Sequence, residues 1–205
     1  MSHLIGYLEA TTQGLFEALQ QSDAWRLMNN PSRTVDDYAA CLERFYCAQL
    51  LRDIALYQSG YWSLTQLPHA RQLPALETDL SMLGLPVSVE DNTAYFSEQL
   101  LDQMCGNYHG FLAAFYVDEQ LRLLHDTLAL GVPTDWPRQY LSSAAIRYRW
   151  PQARDFIAHK VHGAVDVIEV SWLAQEHLVR LVESASHNHS HGPNLPKFNA
   201  EQLWH

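Results

Sequence analysis

The chain has 205 residues, 47% of them hydrophobic and 11% aromatic, which suits one domain with a substantial core and excludes a disordered chain. A net charge of −10 argues against nucleic acid or an anionic membrane as partner, because both reward lysine and arginine. No apolar run approaches the ~20 residues of a membrane span, and the opening MSHLIGYLEA lacks the basic-then-apolar order of a signal peptide. Cys41, Cys47 and Cys105 show no CxxC spacing. Neither disulfides nor a structural zinc are expected, and a reducing cytoplasm is the expected compartment.

In chain order, a first helix is predicted from about Leu4 to Ala24, with Leu8, Leu15 and Leu19 on one side and Gly14 as a weak spot. Asn29, Asn30 and Pro31 end it. Thr34 followed by Asp37 reads as a cap with an acidic residue in the first turn, opening a second helix with Tyr38, Leu42, Phe45 and Gln49 on one stripe. A looser segment from Ser59 leads to a short helix after Pro74, closed at Gly84. Ser88 and Asp91 repeat the cap pattern before a fourth helix through Met104, and Cys105 to Gly110 should bend. Phe111 to Gly131 is the central helix: apolar at helical spacing, yet carrying Asp118, Glu119, Arg122, His125 and Asp126. Thr134 is expected to cap a segment through about Arg149, interrupted where Trp150 precedes Pro151. One long helix should then run from Pro151 to about Glu183. Strand signals are almost absent, so the expected fold is an all-α bundle of about seven helices. Residues 1–184 are expected to form one helical domain and 185–205 a flexible His-rich tail.

Four stretches together resemble the heme oxygenases, in particular the bacterial biliverdin-producing kind. LPALETDLSMLG, Leu73 to Gly84, is similar to that family's LExDLxxLG segment at Leu76, Glu77, Asp79, Leu80, Leu83 and Gly84. Tyr116, Val117 and Glu119 match its YVLEG opening of the central helix, and Leu130-Gly131 its LG close. YLEATTQGLFEAL resembles its first helix and TVDDYAACLERFY its second. The resemblance covers roughly residues 4 to 135 and implies a heme oxygenase-like multi-helix bundle holding heme between the first helix and the central one. It places Leu15, Glu119, Leu124 and His125 around the cofactor. Two positions depart from the family pattern. Leu15 stands where the family has its iron-ligating histidine, and Leu124 and His125 replace the paired glycines of a GSxLGG run.

His125 reads in three ways: a substitute iron ligand, a buried histidine filling the space the glycines left, or a surface residue near a helix end. A second constellation, His159, His162, Asp166 and Glu169, has offsets of 3, 7 and 10, which put all four on one stripe of the last helix. His with carboxylates is the donor set of non-heme iron, with Glu98, Asp102 or Glu119 as further donors; the competing reading is a solvated face. His187, His189 and His191 are expected to bind metal only incidentally. Tyr46, Tyr57, Tyr61, Trp62 and Trp136 read as core or rim aromatics. Three functions stay open. A heme oxygenase-related enzyme would oxidise heme to biliverdin, iron and carbon monoxide. A scaffold without catalysis would bind a small-molecule ligand or a protein partner. A non-heme iron oxidase would use the last-helix stripe.

Overall fold

The computed structural model describes residues 2–68, 71–85, 98–142, 149–161 and 163–186. Its described residues form eight α-helices and one 3-10 turn, with no strand among them.

Helix α1, Ser2–Gln21, buries Ile5, Leu8, Thr12 and Leu19, a spacing that keeps one face inward. It stops short of the expected Ala24. Ser22 turns extended and accepts from the Trp25 N–H, so a separate helix α2, Asp23–Met28, starts with Asp23 in its first turn. The predicted capping of α3, Val35–Tyr57, is present: Thr34 and Asp37 form a reciprocal capping box. The Thr34 N–H and hydroxyl, each donating to Asp37 Oδ2 at 2.9 Å, hold the Asp37 carboxyl below its usual range. After the 3-10 turn Tyr61–Thr65 comes α4, Leu73–Met82. Gly84 closes α4 at φ +81°, with the Leu85 N–H bonded back to the Leu80 carbonyl, as the sequence leads one to expect.

The expected fourth helix appears as α5, Glu98–Cys105; its cap at Ser88 and Asp91 lies outside the described residues. The bend between Cys105 and Gly110 is real. Asn107 caps α6, Tyr108–Ala129, by accepting the Gly110 N–H at 2.8 Å. Gly110 is required there because an added Cβ would stand 2.3 Å from the Met104 carbonyl oxygen.

Three expectations about the C-terminal half are corrected. Residues 134–142 form turns rather than a helix: Pro133 and Pro137 deny it N–H groups, and the Asp79 carboxylate takes the Gln139 and Tyr140 N–H groups at 3.0 and 2.8 Å. Residues 143–148 lie outside the description. Trp150-Pro151 begins a helix rather than breaking one: α7 is Arg149–Lys160, and proline is tolerated in a first turn, where N–H groups lack partners anyway. The single last helix is also two. The chain breaks around Gly163, whose N–H donates to the Asp166 carboxylate at 3.2 Å, and α8 starts anew at Ala164–Ser186.

Helix α8 packs against α1, α3 and α6, with α3 and α6 in contact behind it and α7 laid against α6. Every residue from Gly110 to Glu119 is buried. Tyr46 and Trp62 are buried and Tyr57, Tyr61 and Trp136 half-buried against the core, in keeping with their sequence reading.

Gly14, by contrast with Gly110, is exposed in mid-helix with open space around its missing Cβ. Gly14→Ala should raise unfolding stability by about 1 kcal/mol in urea titration, and Gly110→Ala should lower it by about 2 kcal/mol or more. Equal effects at the two sites would contradict this packing.

Candidate functional site

The ionisable residues of the central helix sit in the core. Asp118, Glu119, Arg122 and His125 are 0–2% exposed. Buried charges need partners at bonding distance, and two pairs supply them. Arg122 donates to Asp118 Oδ2 from Nε and Nη2, both at 2.8 Å. Arg149 at the start of α7 donates from Nε to Glu119 Oε1 at 2.6 Å and from Nη1 to the Pro68 carbonyl at 2.7 Å. Its guanidinium lies 5.2 Å over the Trp62 ring. Burial raises the Glu119 carboxyl against the pull of Arg149 and Arg122.

On the facing side α3 contributes Arg52, fully buried, whose Nη2 donates to Gln49 Oε1 at 2.7 Å; the Tyr140 hydroxyl shares that oxygen at 3.2 Å. Asp53 turns the other way, to Arg71 Nε at 3.2 Å. His125 lies between Trp25, ring centroids 6.1 Å apart and stacked, and Tyr140, at 4.7 Å. Helix α8 adds His177, 1% exposed, with neither ring nitrogen partnered. Burial, reinforced by the Arg52 charge, pushes both His125 and His177 down to about 3, so both are neutral.

Of the residues singled out from sequence, Glu119 and His125 meet in this cluster. Leu15 and Leu124 are half-buried apolar side chains packed on the core. Beside Leu15, α1 is fastened by polar contacts, Thr12 Oγ1 to the Tyr116 hydroxyl at 2.9 Å and Thr11 Oγ1 to Ser171 Oγ at 2.7 Å.

The described members of the last-helix stripe fall on two helices. His159 ends α7, exposed, with Nδ1 2.6 Å from the Asp155 carbonyl; Asp166 and Glu169 belong to α8; His162 lies outside the described residues. Asp166 and Glu169 instead flank His109 of α6, at 3.5 Å from Nε2 and 2.9 Å from Nδ1. Carboxylates on opposite edges of one imidazole do not converge on a point. Among the described residues no group of three His, Cys, Asp or Glu is placed to hold a metal ion. Asp102 is exposed on α5, Glu98 has no described side chain, and the tail histidines lie outside the description.

Arg52, Arg149, His109 and His177 were not picked out from the sequence. The available signal was polar residues inside apolar runs: Arg52 between Leu51 and Ile54, and His177 between Ala174 and Leu178.

The two buried histidines make stability depend on pH with a definite sign. Their folded values lie below the unfolded one near 6.5, so the unfolded chain binds more protons, and stability falls as pH drops below about 6.5. The buried carboxyls Asp53, Asp79 and Glu119, raised by burial, act in the opposite sense at lower pH. A difference measurement isolates the histidine. Relative to the parent protein, His177→Leu should gain about 2 kcal/mol between pH 7.5 and pH 5 in urea unfolding. A pH-independent difference would show that His177 is not a neutral buried imidazole.

No family model matches this chain, and no curated protein matches it. Among solved structures, the heme oxygenase from Leptospira interrogans superposes with a TM-score of 0.69 over 91% of this chain and 99% of that one, at 16% identity. No helix among the described residues is long and apolar enough to cross a membrane. With helices and no strand among the described residues and a superposition spanning nearly the whole of that enzyme, the chain has the heme oxygenase fold.

Proposed function

We propose that this chain keeps the heme oxygenase scaffold without its ordinary heme chemistry, and that it works by binding a small-molecule ligand or a protein partner. The observation that carries the reading is the setting of His125. The resemblance puts a glycine at that position so that backbone lies against a flat macrocycle. Here an imidazole is wedged between Trp25 and Tyr140, with Arg52 and Arg122 acting on it by their charge. A heme iron brought to this nitrogen would meet two guanidinium charges, and its ring would meet side chains on both sides. On the other helix Leu15 offers no ligating atom, and it packs against the core. The residues present do not fit heme.

The non-heme iron reading loses its geometric support with the break at Gly163 and the opposed carboxylates around His109. Binding without catalysis needs neither group. It is the reading that an intact core with an altered centre favours.

Hemin titration of protein ending at Ser186, which removes the tail histidines, tests this directly. The expected result is no saturable one-to-one Soret band, with any association weaker than a Kd of about 10 µM. A tight band lost in His125→Ala, with biliverdin formed on adding reductant and dioxygen, would reverse the proposal.

A further inference from the structure

Among the described residues three guanidinium groups lie in the interior, those of Arg52, Arg122 and Arg149, at 0, 1 and 6% exposure. The buried carboxylates near them are spoken for. Glu119 takes Arg149, Asp118 Oδ2 takes Arg122, and Asp53 is held by the half-exposed Arg71. Arg52 has to share Asp118 with Arg122: its Nε stands 4.0 Å from Asp118 Oδ1, an ion pair too long for a hydrogen bond, and neither its Nε nor its Nη1 has a hydrogen-bond partner. A guanidinium cannot shed its proton to escape such a place, and two buried guanidiniums on one carboxylate leave positive charge in excess, which is costly. Around it lie further unmatched polar atoms: His125 Nδ1, both ring nitrogens of His177, and Asp118 Oδ1. So many in one neighbourhood of a core departs from the rule that buried polar groups are satisfied.

The unmatched atoms define a guest. Arg52 offers the N–H groups of two unpartnered nitrogens, Nε and Nη1, and a positive charge. A neutral His177 offers one N–H, and its other nitrogen only accepts. All are buried to 2% exposure or less, so the guest is compact. We propose that the interior between α3, α6 and α8 binds a small monoanion on Arg52 with His177 as second donor, the class being chloride or a compact oxyanion such as formate or nitrite. A water molecule would answer some of the hydrogen bonds and leave two guanidiniums on one carboxylate. This inference goes beyond the function proposed above and is tested separately from it.

The experiment follows thermal unfolding in sodium chloride, formate or nitrite against sodium gluconate, an anion too bulky for the site, at constant ionic strength. The parent protein should show a saturable rise in midpoint of a few degrees in the compact anions. Arg52→Met should show no difference between these salts and gluconate. Equal midpoints in all salts, or an identical salt response in Arg52→Met, would overturn the proposal and leave water as the filler. Should Arg52→Met not fold, His177→Leu keeps the cation and removes one donor. Its half-saturating anion concentration should then rise about tenfold, and an unchanged value would overturn the assignment.

Discussion

Asp118 and Glu119 stand side by side in the middle of α6, both in the core, and neither can stay there alone. Their solutions differ. Asp118 is answered from within the helix, by Arg122 one turn on. Glu119 is answered from another element: Arg149 reaches it from the start of α7 while its second arm holds the Pro68 carbonyl ahead of α4. One side chain thus fixes the entry of α7, the loop before α4 and the central helix relative to one another. Such pairs add little net stability over an apolar core. What they add is position, since an α7 shifted by one turn would strand Glu119.

That constraint bears on how the fold persists under the proposed loss of heme chemistry. A helical bundle asks for apolar stripes, caps and a few bends, and each tolerates many residues. A heme site asks for one ligating nitrogen at one point, and for missing side chains at another. Leu15, Leu124 and His125 satisfy the first requirement by packing in or against the core, and under the proposed function they fail the second. Filling the centre also changes its character. Arg52, Gln49, Tyr140, His125 and His177 bring polar groups from α3, α6, α8 and the segment after α6 to one place, where flat apolar contact would otherwise be wanted.

The scaffold was legible in the sequence wherever its cause was local. Thr34 with Asp37, Gly84 past α4, and the bend before Gly110 are stereochemical signals a few residues long, and each lies where expected. The breaks that went unread are also local but weaker. Ser22 interrupts an apolar pattern that continues through Trp25, and VHGAVDVIEV keeps helical spacing across the gap at Gly163. The centre was legible by halves. Glu119 and His125 were found by likeness to a family motif. Arg52, Arg149 and His177 come from elements 30 residues or more away in the chain, with no fixed spacing to betray them. An arginine or histidine inside an apolar stripe announces a buried polar contact and does not name its partner.

The four residues of the supposed metal stripe show how little composition decides without convergence. Asp166 sits three residues after Gly163, where its carboxylate accepts that residue's N–H and so starts α8. Its other oxygen faces His109, and Glu169, one turn on, faces the opposite edge of the same ring. The beginning of α8 is thereby fastened to the beginning of α6, across the junction that Gly110 and Asn107 build. The same residue types that make an iron site when aimed at one point here form a joint between two helix ends. Had the chain run on as one helix through Gly163, Asp166 would have lost the N–H it caps and the joint its anchor.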